Sequence, residues 1–117
     1  MVTRLTGFVG ALAIALSFAT ACGGEEGPLD VCPPNSQEQQ DSGSFILFTT
    51  CIGCHSQNLS GVDRQGAPAD SNFDNAELIK AQADEIYARS IDRTMPPGGG
   101  LNDMQLESLR AYLACLP

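Results

Sequence analysis

An all-α fold is what this sequence predicts, and three observations carry the prediction. Apolar residues recur at helical spacing in three separate segments. A capping residue precedes each segment, and no run alternates apolar and polar side chains as a half-buried strand would. The stretches between the segments are rich in Gly, Pro, Asp and Asn, which stop helices and form turns. A length of 117 residues bounds the chain to one domain and excludes a large cleft between domains.

Residues 1–21 read as an export leader outside the fold. Arg4 supplies a positive start, Leu5 to Ala19 is largely apolar, and small residues lead into Cys22. The apolar run suits a signal peptide and is short for a membrane-spanning helix. Ala19-Thr20-Ala21-Cys22 resembles the lipobox of bacterial lipoproteins, with Ala19 where that box usually has Leu. The resemblance implies cleavage that leaves Cys22 as a lipid-bearing first residue. The other reading is ordinary cleavage after Ala21, with Cys22 a free thiol. Residues 22–41, poor in apolar side chains and rich in Gly, Pro and Gln, read as a flexible tether to a membrane. The folded domain is expected over 42–117.

Within that domain the first helix is expected to start at a Ser42 or Ser44 cap and to bury Phe45, Phe48 and Ile52. In the second, Asp74 and Glu77 form a capping-box pair, and Ile79, Ala83, Ile86, Tyr87 and Ile91 make the apolar stripe. Lys80–Asp84 and Glu85–Arg89 are its outward i,i+4 pairs. The third is capped by Asn102 with Gln105 and buries Leu106, Leu109 and Leu113, with Tyr112 beside them. Residues 56–73 form a Gly/Asp/Ala/Pro-rich loop, and Thr94 to Gly100, with two prolines and three glycines, cannot be helical.

Composition excludes whole classes of function. Six Lys+Arg against fourteen Asp+Glu argue against nucleic acid, whose phosphates demand a basic face. One histidine in the chain rules out a site built from two or three imidazoles of a single copy. Cleavage after Ala21 would remove Arg4 and no acidic residue, taking the net charge from −8 to −9. It would also remove the most apolar stretch. The remaining core is thin for a stable domain, so a covalent group or cross-link is expected to help hold it.

The chemistry is concentrated in Cys51-Ile52-Gly53-Cys54-His55. Two cysteines three apart on a helical turn project to one side, and the lone imidazole follows directly. That spacing lets two thiols add to the two vinyl groups of one haem with the imidazole beneath the iron, and C-x-x-C-H is the attachment signature of c-type haem. A zinc half-site and a redox-active C-x-x-C pair are the alternatives. The first needs further ligands, and Cys32 and Cys115 are distant in sequence. The second lacks the strand-then-helix setting of a thioredoxin-like fold.

From about Gly43 to Leu116 the chain resembles a class I cytochrome c domain. The residues that carry the likeness are the C-x-x-C-H motif at the end of a first helix, a loop, a middle helix, Met95-Pro96-Pro97 and a C-terminal helix. The resemblance implies three or more helices around one covalently attached haem c. It implies that the first and last helices cross through Gly43 and Tyr112, with Leu47, aided by Phe48, where an aromatic is usual. His55 would be the proximal ligand, and Pro68 would offer its carbonyl to the imidazole N–H. The sixth ligand would be Met95, forty residues further on in a Pro- and Gly-flanked loop. Met104, a lysine or an N-terminal amine are the competing ligands. The resemblance also brings the domain's ends together, which implies a Cys32–Cys115 disulfide in an oxidising compartment, with unpaired thiols or an intermolecular bridge as the alternatives.

His/Met ligation fills both axial positions and suits outer-sphere electron transfer, so the expected role is a one-electron carrier and not an enzyme. The expected location is the periplasm or the outer membrane surface, through the lipid anchor. Its redox partners are expected to present basic or weakly charged faces to this acidic domain, although excess acid can also serve solubility alone. A haem with an open sixth site, for gas sensing or peroxidase-like chemistry, and a haem-free thiol-disulfide oxidoreductase using Cys51 and Cys54 are the other two functional readings.

Overall fold

The computed structural model describes Gly24 and residues 26–117. The leader and Cys22 lie outside the described residues. The described chain is all-α, with four helices and no strand. Helix α1 spans Gln37–Ile46 and runs on through a π-helical turn, Leu47–Cys51. A short 3₁₀ turn follows at Gly61–Arg64, then α2 (Ala76–Ala81), α3 (Ala83–Ile91) and α4 (Asp103–Ala114).

Helix α1 differs from its expectation at both ends. It begins after Ser36, so residues 37–41, assigned by composition to the tether, form its first turn. Ser42 and Ser44 are inside the helix and cap nothing. Phe45 and Phe48 are exposed, at 68% and 44%, while Ile46 and Leu47 are buried. The physical reason is Gly43. A Cβ there would press on the Ser108 carbonyl oxygen and lie 2.7 Å from both the Ser108 carbonyl carbon and Tyr112 Cβ. The glycine therefore faces α4, and Ile46 and Leu47, three and four residues on, share its side of the helix. The π-helical turn, with Ile52 N–H bonded to Leu47 O at 3.3 Å, then shifts the register before the Cys51 turn.

The helix expected from Asp74 is two helices. Asn75 is the cap of α2, its Oδ1 accepting the N–H groups of Glu77 and Leu78, and Asp74 is turned to other work. The helical path breaks at Gln82, between α2 and α3. Ile79, Ile86 and Tyr87 are buried as expected, whereas Ile91 is half exposed. Glu85 and Arg89 pair at 2.6 Å, but Lys80 donates to the Pro117 carbonyl instead of reaching Asp84. Helix α4 follows its expectation closely. Asn102 and Gln105 make the reciprocal capping box, and Leu109 and Leu113 are buried.

Packing centres on the crossing of α1 with α4, the most extensive helix–helix contact, and α3 also packs on α4. Leu47, Ile79 and Leu109 are the largest fully buried side chains. Cys32 and Cys115 form a disulfide with a Cα–Cα separation of 4.8 Å, joining the segment before α1 to the residue after α4.

Two stability outcomes are expected. Gly43→Ala gains up to about 1 kcal/mol of helix propensity, but the contact it creates is with backbone that cannot rotate away. The net effect is a loss of about 3 kcal/mol, read from denaturant midpoints. Replacing Cys32 and Cys115 together by Ser opens a loop spanning a separation of 83 residues. It should cost about 4–5 kcal/mol in the chain-entropy model, read the same way under non-reducing conditions.

Candidate functional site

The π-helical turn delivers Cys51 at its end, and the following tight turn, with Cys54 N–H and His55 N–H both bonded to Cys51 O, brings Cys54 and His55 to the same side. These three residues form one wall of a cavity of about 350 Å³. Its volume lies within the roughly 300–1,000 Å³ typical of small-molecule and cofactor sites. Met95, Pro96 and Pro97 contribute from the loop between α3 and α4, Ile86 and Ser90 from α3, and Pro68 and Phe73 from the 56–73 loop. The sequence-predicted residues Cys51, Cys54, His55, Pro68 and Met95 are thus gathered around a single cavity.

Met95 is held by its backbone. Its N–H bonds Arg89 O at 3.0 Å, and Asp92 Oδ1 accepts from Thr94 N–H and Thr94 Oγ1, closing an Asx turn just before it. Gly98 and Gly100 both carry positive φ, which lets the loop double back towards α4. Met104 is elsewhere. It sits on the first turn of α4, 78% exposed, beside Phe45, and is absent from the cavity lining.

His55 is fixed from three directions. Its ring stacks on buried Phe73 with centroids 4.5 Å apart, and its carbonyl accepts the Phe73 N–H at 2.7 Å. Nδ1 lies 3.2 Å from Ser71 O. A carbonyl can only accept, so Nδ1 carries the proton and Nε2 keeps the free lone pair. The expectation for Pro68 is corrected here. Its carbonyl faces Arg64 Nη2 and not the imidazole, because the loop turns three residues further before meeting the ring. Burial holds the imidazole below its ordinary value. The charge of Arg64 acts the same way and the Ser71 bond opposes it, which favours the neutral, metal-binding form.

Three contributors lie outside the sequence-derived set. Ser71 and Phe73 carry no motif. Arg64 could have been noticed as the only cation in the 56–73 loop, and it is 6% exposed. Asp74, read from sequence as a helix cap, accepts from Ser56 Oγ and from Gln57 N–H and so ties the residues after His55 to the start of α2.

Cys51 and Cys54 are free thiols and are half-buried. Burial, reinforced by Cys54, pushes the Cys51 thiol up to about 11. Redox-active cysteines instead have lowered values that populate the thiolate at neutral pH. Cys32 and Cys115 are bonded to each other, so neither completes a zinc site with the C-x-x-C-H turn.

Compared with known proteins, the chain matches no family model, no curated protein and no solved structure. The functional reading therefore rests on the residues and their geometry.

The Asp74 clasp predicts an acid limb. The bond from Ser56 is the main cause that holds its carboxyl below the usual range, with Gln57 N–H adding to it. A carboxyl lowered in the folded state contributes stability that is fully present above its unfolded value of about 4. That contribution fades as pH falls through the folded value. Asp74→Asn should therefore flatten the decline of the denaturation midpoint in the acid range relative to wild type, measured between about pH 6 and 2.

Proposed function

We propose that this chain is a small c-type cytochrome of the class I kind, carrying one electron between redox proteins. The observation that carries the reading is the gathering of Cys51, Cys54 and His55 on one wall of a largely apolar cavity that Met95 also lines. The donor set fits a covalently held haem. Both thiols are free, the imidazole has Nδ1 engaged and Nε2 available, and a thioether comes from a separate, backbone-anchored loop. When bound, haem would supply a one-electron iron couple, and His55 with Met95 would hold the iron.

The chain's residues then divide the work. Cys51 and Cys54 would hold the macrocycle through thioether bonds. Ser71 and Phe73 orient the His55 ring. The soft Met95 thioether, bound to the iron, would favour the reduced metal. Ile86 and Phe73, both buried, help exclude water from the cavity.

The raised Cys51 value weighs against the thiol-disulfide alternative. The Cys32–Cys115 bond and the leader ending in Cys22 support an exported, lipid-anchored protein facing the bacterial periplasm or lying at the outer membrane surface. Among the described residues no helix is long and apolar enough to cross a membrane. The surface supports partners with basic or weakly charged faces. Of the five cations among the described residues, Arg89 and Arg110 pair with Glu85 and Glu107, Arg64 is buried and Lys80 is bonded to Pro117, which leaves Arg93 exposed outside both ion pairs.

Expression in a host that matures c-type cytochromes should yield a pyridine haemochrome that stays with the protein after denaturation. Cys51→Ala with Cys54→Ala should abolish that covalent attachment. The ferric protein should show the near-red sulfur-to-iron band, and Met95→Ala should lose it and admit carbon monoxide when reduced. Rapid carbon monoxide binding by reduced wild type would instead favour the open-site reading.

A further inference from the structure

The loop that carries Ser71 is built around a buried cation with no acidic partner. The ion pairs among the described residues are Glu85–Arg89 and Glu107–Arg110, and Arg64 belongs to neither. Its charge is met by backbone and amide oxygens. Nε donates to Ala67 O at 3.2 Å, Nη1 to Ser56 O at 2.6 Å and Asn72 Oδ1 at 2.9 Å, and Nη2 to Pro68 O and to Ser71 O at 3.0 Å. Nη1 also lies 3.4 Å from Leu59 O. A guanidinium has five N–H groups, and the five shorter contacts use all of them. None is left over to clamp an acidic group of a ligand in the cavity.

Ser71 O is consequently shared. It accepts from Arg64 Nη2 at 3.0 Å and from His55 Nδ1 at 3.2 Å, one donor for each lone pair. A cation on one lone pair draws density from the oxygen and makes it a weaker acceptor for the other donor. The partner of a ligating imidazole sets both its orientation and its donor strength. A weaker acceptor leaves the imidazole less electron-rich, and a fixed positive charge beside the site opposes oxidation of the metal. Both effects favour the reduced state.

We propose that Arg64 is a positioning residue that fixes the Ser71 carbonyl against His55 and, through that shared oxygen and its own charge, raises the reduction potential of the bound haem. The proposal rests on the cytochrome reading above and adds a determinant of potential to it.

The test uses the full chain, matured with haem, as wild type, Arg64→Lys and Arg64→Gln. Lysine keeps the charge and loses the fork, and glutamine loses both. Haem content is measured first by haemochrome, then the midpoint potential by spectroelectrochemistry and exchange of the His55 ring N–H by NMR of the reduced form. R64Q should shift the ferrous–ferric equilibrium towards ferric by about tenfold, which is about 59 mV for a one-electron couple. R64K should shift it by less than about half that interval on the same scale. R64K, which keeps the charge and loses only the fork, should exchange the ring N–H faster than wild type. Haem-bearing R64Q with an unchanged or raised potential overturns the Arg64 assignment and leaves the cytochrome reading standing. Wild type without covalent haem overturns both. If R64Q does not fold, R64K decides through exchange, and a rate equal to wild type overturns the proposal.

Discussion

The close crossing of α1 on α4 at Gly43 is the constraint on which the rest of the structure depends. With a hydrogen in place of a side chain, the backbone of Ser108 and the Cβ of Tyr112 come into direct contact with α1. That approach brings Leu47 and Leu109 into one core cluster, each fully buried. It also fixes where α1 ends, and α1 ends in the cysteine turn. The position of both thiols and of His55 is therefore inherited from a contact two helical turns away. The disulfide closes the opposite end of the same helix pair.

Once α1 and α4 have set the cysteine turn, the irregular part of the chain locks the imidazole. Residues 71–74 run alongside 55–57 and clasp them through Ser71 O, the Phe73 ring and amide, and the Asp74 carboxylate. The loop between has little apolar material, so it cannot fold around a hydrophobic centre of its own. Arg64 takes that role with charge instead, and at 6% exposure it gathers the carbonyls of Ser56, Ala67, Pro68 and Ser71 around one guanidinium. The far wall is anchored to α3 by Met95 N–H on Arg89 O. The end of α1 thus presents the cysteine–histidine turn, Met95 comes from a loop tied to α3, and the 56–73 loop supplies the contacts that hold the imidazole.

The helical class and the cysteine–histidine turn were legible in the sequence because both are local. Capping pairs such as Asn102 with Gln105 involve residues three apart, and the C-x-x-C-H spacing is chemistry written in five consecutive letters. The inward face of α1 was misread because hydrophobicity marks burial by apolar side chains, and here a glycine marks it. Phe45 and Phe48 scored as core while the surface of α4 selected Gly43, Ile46 and Leu47. Asp74 was taken for a cap because it precedes a helix, when the neighbouring Asn75 caps and Asp74 bonds a residue 18 positions earlier. Ser71 and Arg64 were invisible for a related reason. Their roles depend on how a loop turns, and no periodicity encodes that.

The disulfide has a mechanical meaning that packing does not exhaust. Cys32 precedes α1 and Cys115 follows α4, so the cross-link sits between the N-terminal segment and the first helix. Without it, a pull from that segment would act on α1 first and peel it from α4 at the crossing. With it, the load passes through sulfur to the end of α4 and bypasses the helix that carries the cysteine turn. Contacts upstream add to this, since Leu29 packs against the core and Arg110 donates to Pro28 O at 3.2 Å. A domain strained from its leading end would take the load at the disulfide and not along the helix that carries the cysteine turn.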